Sequence, residues 1–203
     1  MTGKIKLNAA SGGGSVSFQA PSSTGDDRII TLPTTADGTV LTTTNPKAGN
    51  IIQVVSTTKT DTFSSSSDSF TDLTGLSVTI TPTSTSSKIL FIASLCYGCS
   101  SDSYASGRLV RNSTPLGVAP SAGSRTVCGF SMQMNTNAAN KLYSLSYQYL
   151  DSPNTTSATT YKLQGRTYSG DSRSFCINQT QLDTSINYHH RGESRVIAME
   201  VAG

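Results

Sequence analysis

The chain has 203 residues and a formal net charge of +3, from 15 Lys and Arg against 12 Asp and Glu. Only 13% of residues are charged and 35% are hydrophobic, while Ser and Thr fill roughly a third of all positions; the charge is too low for a disordered polyelectrolyte, and its basic residues are too scattered for a nucleic-acid footprint. Trp is absent and Glu occurs only at 193 and 200, so strong helix formers are scarce where Thr, Ser and Gly abound, and an all-β fold is expected.

The first 49 residues form a strand-and-turn segment. Extended runs at 4–7, 15–19, 28–32 and 39–43 are punctuated by Gly12-Gly13-Gly14 and by Asp37-Gly38. Each run is too short to bury much surface alone, so these segments are expected to pair with other copies, as in a thin shaft without a private core. Asn45 to Gly49 reads as a turn-rich linker, with Pro46 holding Asn45 extended. The opening residues contain no apolar run, so no signal peptide is expected, and no stretch approaches the ~18 apolar residues of a membrane span. The expectation is a soluble chain made in the cytoplasm.

Residues 50–203 read as a head domain of ten short strands, near 51–57, 70–72, 77–81, 88–97, 107–112, 127–134, 141–150, 159–167, 173–178 and 195–201. Loops rich in Ser, Asn, Asp and Gly separate them, which predicts an antiparallel β-sandwich. Val78, Ile80 and Pro82 fall on period two, the pattern of a half-buried strand. The run 88–95 is apolar on both parities and predicts a central strand covered on both faces. Ser64 to Ser67 reads as an exposed loop tip. Tyr143, Leu145, Tyr147 and Tyr149 alternate with Leu142, Ser144, Ser146 and Gln148, giving an aromatic face with a mostly polar reverse. The run 196–201 stays apolar apart from Glu200, as expected of a closing strand inserted centrally in a sheet.

Several phrases together carry a resemblance. ITLPTTADGTVLTTT, IIQVVSTTKTDTF, LSVTITPTSTSSKILF, LVRNSTPLG, SYQYLDSPNTTSATTYKLQ and SRVIAMEVAG resemble fibre or spike proteins of tailed bacteriophages, marine and cyanobacterial phages in particular. Their heads are jelly rolls similar to those of C1q and tumour necrosis factor. The likeness spans most of residues 26–203 and is most distinctive from Tyr149 to Gln164. It implies a homotrimer in the virion, with residues 1–49 docking on other tail or capsid proteins or forming a shaft. The head at 50–203 would then face host surface glycan or protein. A trimer also agrees with the need to cover apolar strand faces in a chain of low hydrophobicity.

Candidate chemistry is sparse. Cys96-Tyr-Gly-Cys99, with Cys128 and Cys176, supplies four thiols, but a structural zinc site shows two paired knuckles and here the second pair is split, so small buried thiols are expected. Disulfides are not expected in a chain assembled in the cytoplasm. His189-His190 are the only histidines and read as a solvated loop pair; near a trimer axis they would instead present imidazoles to a metal. Most Asp residues lie in turn words, Asp37-Gly, Asp151-Ser-Pro and Gly-Asp171, where turn capping explains them better than a glycosidase pair. Nucleophile elbow and phosphate loop are both missing. The sequons at Asn112, Asn154 and Asn178 are what chance produces in a Ser/Thr-rich chain. No catalytic, cofactor or metal residue is therefore expected, nor any enzyme activity. Tyr104, Arg108, Asn112, Arg125 and Asn137 have side chains suited to sugar recognition. Host attachment competes with a capsid-decorating or connector role, and more distantly with a polysaccharide-degrading spike.

Overall fold

A computed structural model describes residues 4–8, 15–19, 46–133, 139–168 and 173–203. The chain divides into two compact units, residues 1–40 and 41–203. In the first, β1 (Lys4–Asn8) pairs antiparallel with β2 (Ser15–Gln19), Lys4 opposite Gln19 and Asn8 opposite Ser15. Both strands expected there form, and they pair within one chain. The runs expected at 28–32 and 39–43 lie outside the described residues.

The second unit holds β3 (Ile51–Lys59), β4 (Phe63–Ser65), β5 (Thr71–Ile80), β6 (Lys88–Cys99), β7 (Tyr104–Arg111) and β8 (Thr114–Leu116). It continues with β9 (Phe130–Gln133), β10 (Tyr143–Asp151), β11 (Thr159–Arg166), β12 (Phe175–Ile177) and β13 (Ser194–Val201). The described residues contain no helix. Those of the second unit form two antiparallel sheets. In one, β6 is flanked by β13 and then β3 on one side and by β10 on the other, with β12 and β4 extending it. In the other, β11 lies between β5 and β7, and β8 and β9 pair with the far edge of β7. The closing strand β13 sits between β3 and β6, as its apolar run predicts.

The core lies between the sheets. Ile89, Phe91, Ala93 and Leu95 of β6 and Val196 and Ala198 of β13 face Leu76, Val78 and Ile80 of β5, Leu109 of β7 and Tyr161 and Leu163 of β11, all buried. Each large aliphatic or aromatic side chain so buried contributes about 1.5–3 kcal/mol. One corner is closed by side chains: Gln53 Nε2 donates to the Thr81 carbonyl at 2.7 Å and Thr57 Oγ1 to the Ser77 carbonyl at 2.8 Å. Two polar side chains of β3 thus satisfy carbonyls of β5 and of the residue that follows it.

Several expectations need correction. The strands expected at 70–72 and 77–81 are one strand, β5. Its pairing with β11 jumps from Asp72 opposite Gln164 to Ser77 opposite Lys162, so Thr74 to Leu76 bulge out. Gly75, with φ of 83°, makes the bulge possible, and the three-residue offset lets both Leu73 and Leu76 enter the core. Ser64 to Ser67 is not a free loop tip. β4 pairs with β12, Phe63 packs 6.1 Å from Phe175, and the Ser67 carbonyl accepts from Thr167 N at 2.8 Å. Part of the expected linker is a tight turn: Asn50 N donates to the Lys47 carbonyl at 3.0 Å, and Gly49, with φ of 91°, bonds to the Ala202 carbonyl. Asp151 is no turn cap. It ends β10, nearly buried, and accepts from Arg111 Nη1 at 2.8 Å and from the buried Tyr161 hydroxyl at 2.6 Å. Burial, and then the bond to Asp151, push the Tyr161 pKa up.

The second face of β6 also departs from expectation, because this chain leaves it half-covered. The outward residues of the sheet line up in cross-strand rows. Val54, Met199, Leu90 and Leu150 form one row, and Ser56, Ile197, Ile92 and Gln148 the next. Val54 is 54% exposed and Leu150 51%, while Leu90, Ile92, Ile197 and Met199 are half-buried.

Candidate functional site

The outward face of the β5–β11–β7 sheet is polar and aromatic. Strand alternation in β11 sends Tyr161, Leu163 and Gly165 inward and Lys162, Gln164 and Arg166 outward. Gln164 pairs across to Asp72 on one side and Arg108 on the other; Arg166 pairs with Ser106. A hydrogen-bonded chain crosses three strands here. Arg108 Nε donates to Gln164 Oε1 at 2.9 Å, Gln164 Nε2 to Asp72 Oδ1 at 2.7 Å, and Lys162 Nζ to Asp72 Oδ2 at 2.7 Å. The bonds from Lys162 and then Gln164 hold the Asp72 carboxyl below the usual aspartate range.

Phe70, just before β5, anchors two guanidinium groups. Arg108 lies 4.1 Å from its ring centre and Arg166 5.7 Å. Burial lowers the Arg108 pKa, yet an arginine stays charged. One step along the sheet, Tyr104 and Tyr168 meet edge to face at 6.2 Å, 55% and 60% exposed. The sheet thus brings together two of the residues marked from sequence, Tyr104 and Arg108. Phe70, Gln164, Arg166 and Tyr168 were missed, although the period-two spacing 162, 164, 166, 168 carries the signal. Asn112 is at the opposite end of β7. It takes φ of 53° in the two-residue turn to β8 and accepts from Thr160 N at 3.0 Å through Oδ1, so it serves the hairpin. Arg125 is exposed in the loop before β9 and bonds locally to the Ala122 carbonyl. Asn137 lies outside the described residues.

A second surface is the loop 178–193. Asn178 is wholly buried at φ of 64°; its Nδ2 donates to the Lys59 and Asp61 carbonyls and its Oδ1 accepts from Ser194 Oγ at 2.6 Å. A glycan cannot be attached at that position in the folded chain. Arg191 clamps Asp183 through Nε at 2.8 Å and through Nη2, enclosing an open recess of about 650 Å³ lined by residues 183–187, His189 and Arg191. His189 is not a solvated residue with free nitrogens. Its Nδ1 lies 3.0 Å from Thr184 Oγ1, its Nε2 3.1 Å from Asn140 Oδ1, and Tyr188 packs on its ring. His190 is exposed. Among the described residues no three His, Cys, Asp or Glu side chains converge as metal ligands.

The Cys96–Cys99 spacing is odd in a strand, so the two thiols leave β6 on opposite faces. Cys99 points into the core and donates to the Met132 carbonyl at 3.0 Å, and burial pushes its thiol up to about 12. Cys96 is half-buried beside Ser144. Burial likewise raises the Cys176 thiol, which bonds to Gln181. Cys128 is a free, half-buried thiol.

No family model matches the chain, and no curated protein matches it. Solved structures similar to it come from infectious bursal disease virus. A structure of the Gx strain is 14% identical with a TM-score of 0.40, covering 94% of this chain and 47% of that one. The T=1 particles derived from the virus give 13% identity and a TM-score of 0.40, covering 93% and 46%. The VP2 subviral particle gives 15% identity and a TM-score of 0.41, covering 93% and 48%. This chain spans about half the length of those chains. At such identities and scores the likeness decides neither the fold nor the function of this chain.

Proposed function

We propose that this chain is a virion structural protein, the homotrimeric head of a tailed-phage fibre or spike, and that it attaches the particle to host surface glycan or protein. The observation that carries the reading is the apolar row Val54–Met199–Leu90–Leu150, backed by Ile92 and Ile197, on an outward sheet face that the chain itself leaves half-covered. A protein of low hydrophobicity places so many aliphatic side chains together on its surface where another surface covers them. Like copies supply that surface in a closed homo-oligomer. The strand order supports a jelly roll: β3–β13–β6–β10 packs on β5–β11–β7–β9, with the first and last strands of the unit side by side. Residues 1–49 are assigned to docking on other virion proteins, and the opposite, polar-aromatic sheet face is left to meet the host.

The reading is non-enzymatic. The carboxylates of Asp72, Asp151 and Asp183 are engaged by Lys162, Arg111 and Arg191, and Glu200 accepts from Gln53 and from Thr83. These four carboxylates are held in structural pairings and are not the free acid and base that glycoside hydrolysis demands.

Light scattering on the purified protein, followed by cosedimentation with intact host cells, tests the proposal. A trimer that binds cells saturably is expected. A trimer that ignores cells moves the role to capsid decoration or connection, and a stable monomer overturns the fibre architecture.

A further inference from the structure

The two guanidinium groups over Phe70 share a posture. Arg108 is stacked on the ring and its Nε is tied to Gln164; Arg166 lies over the same ring and its Nε donates to the Thr167 carbonyl at 3.1 Å. In both, the inner nitrogen is anchored. The terminal nitrogens of both have no hydrogen-bond partner among the described residues. Such a fork, fixed by packing and by a bond at its base, matches a carboxylate with two parallel N–H bonds and little ordering left to lose. Charge points the same way. The one carboxylate in the network, Asp72, is spent on Lys162 and Gln164, and among the described residues neither Arg108 nor Arg166 has a carboxylate partner.

Next to the forks, Tyr104 and Tyr168 offer more than half-exposed rings. Aromatic rings receive the apolar C–H faces of sugars while their hydroxyls bond at the rim. Tyr168 follows Arg166 by two residues, about 7 Å of extended chain, and Tyr104 precedes Arg108 by four on β7, about 13 Å, with Ser106 between them opposite Arg166. A carboxylated sugar unit and its neighbour along a chain meet both at once. Three of the four side chains are carried on strands and Tyr168 stands two residues past the end of β11, which fixes their spacing better than a free loop does.

We propose that this face of the β5–β11–β7 sheet binds an acidic polysaccharide through its uronic-acid carboxylates, with Arg108 and Arg166 as the carboxylate forks and Tyr104 and Tyr168 as the sugar platform. The inference rests on the attachment reading and names the ligand class of that contact.

The test uses the full chain, titrated calorimetrically with oligogalacturonate and with alginate oligomers, against a neutral galactan. Binding to the acidic oligomers that weakens with added salt, with no binding to the galactan, is expected. The double variant Arg108→Gln/Arg166→Gln should weaken it about tenfold or more for each fork lost, the range of hydrogen bonds to charged groups. Arg108→Lys should weaken it as well, since it keeps the charge and loses the fork. Tyr104→Ala/Tyr168→Ala should lose affinity with little change in salt dependence. Thermal melting identical to the parent shows that each variant folds. Equal binding to galactan, no binding to either acidic oligomer, or full binding by the double arginine variant overturns the inference. The same variant on host cells separates the two readings. Cell binding that survives it overturns this face and leaves attachment standing, whereas a parent protein that binds neither cells nor uronates fails both.

Discussion

Placing lysines at both ends of the apolar row, Val54→Lys with Leu150→Lys, separates the stability of one protomer from that of the assembly. Val54 is on β3 and Leu150 on β10, the two outer strands of that row, each a little over half exposed in the single chain. Full burial of an aliphatic side chain is worth about 1.5–3 kcal/mol, so covering the remaining half of each contributes about 1 kcal/mol per copy. With Leu90, Ile92, Ile197 and Met199 adding their exposed parts, the face supplies several kcal/mol to each protomer on assembly. A lysine in its place keeps its stem along the sheet and its ammonium in water, so the isolated protomer should change by roughly 0.5 kcal/mol or less. In an assembly the same ammonium loses its water without a partner, at a cost of several kcal/mol per site. Association should therefore weaken by at least about a hundredfold, at 1.4 kcal/mol per decade. Sedimentation velocity over a wide concentration range reads the mass, and thermal melting of the dissociated variant reads the fold. A parent protein that sediments as a monomer, or a double variant that keeps the parent mass, refutes the reasoning.

Three further outcomes follow from the interior. Asp151→Ala should destabilise by about 3–5 kcal/mol, because it strands the Arg111 guanidinium and the buried Tyr161 hydroxyl, while Tyr161→Phe should cost about 1 kcal/mol; denaturant unfolding of both compares them. Burial pushes the Glu200 pKa up, but the bonds from Gln53 and from the backbone and hydroxyl of Thr83 outweigh it and hold the group below the usual 4.5. Its stabilising contribution is therefore complete above that value and lost as pH falls through the lower folded value, so Glu200→Gln should flatten the acid limb of a melting-temperature profile; an unchanged limb would count against this. A Cβ on Gly98 would stand 2.5 Å from the Gln179 carbonyl and 3.1 Å from Thr180 Cα, so Gly98→Ala should displace the loop 178–193 and cost about 1–3 kcal/mol, read by melting and by proteolysis within that loop.

Alternation carried most of what the sequence could reveal. The period-two residues Val78 and Ile80 mark the inward face of β5 directly, the apolar run of β6 marks a strand inside its sheet, and so does the apolar end of the chain. What stayed hidden depends on pairing. The bulge at Gly75 hides β5, because three extra residues shift the inward parity from Leu73 to Leu76 and make one strand look like two. β4 is only three residues of Phe and Ser, and nothing local separates it from the serines that follow; it exists because β12 offers a free edge and Phe175 a packing partner. Asp151 sits in a turn word, Asp-Ser-Pro, and its burial is set by Arg111 and Tyr161, which are 40 and 10 residues away. The same limit applied to the surface. Tyr104 and Arg108 could be marked by side-chain type, but Phe70 and Arg166 joined them only through sheet register, and Asn112 was drawn away into a hairpin turn.

The outward parities of the two sheets nevertheless differ in a way the sequence does record. Along β11 the outward positions are Thr160, Lys162, Gln164 and Arg166, and along β13 they are Arg195, Ile197, Met199 and Val201. Both strands are central in their sheets, so neither edge protection nor the core dictates these choices. A solvated sheet face asks for polar residues, and β11 supplies them. On β13 the aliphatic residues at that parity contribute nothing to the core between the sheets and would cost solubility if left in water. The proposed assembly gives them a use, as the surface on which a like copy is pressed. One sheet thus turns an aliphatic face outward and the other a polar one, and under the proposed function that division places assembly and recognition on opposite sides of the same domain.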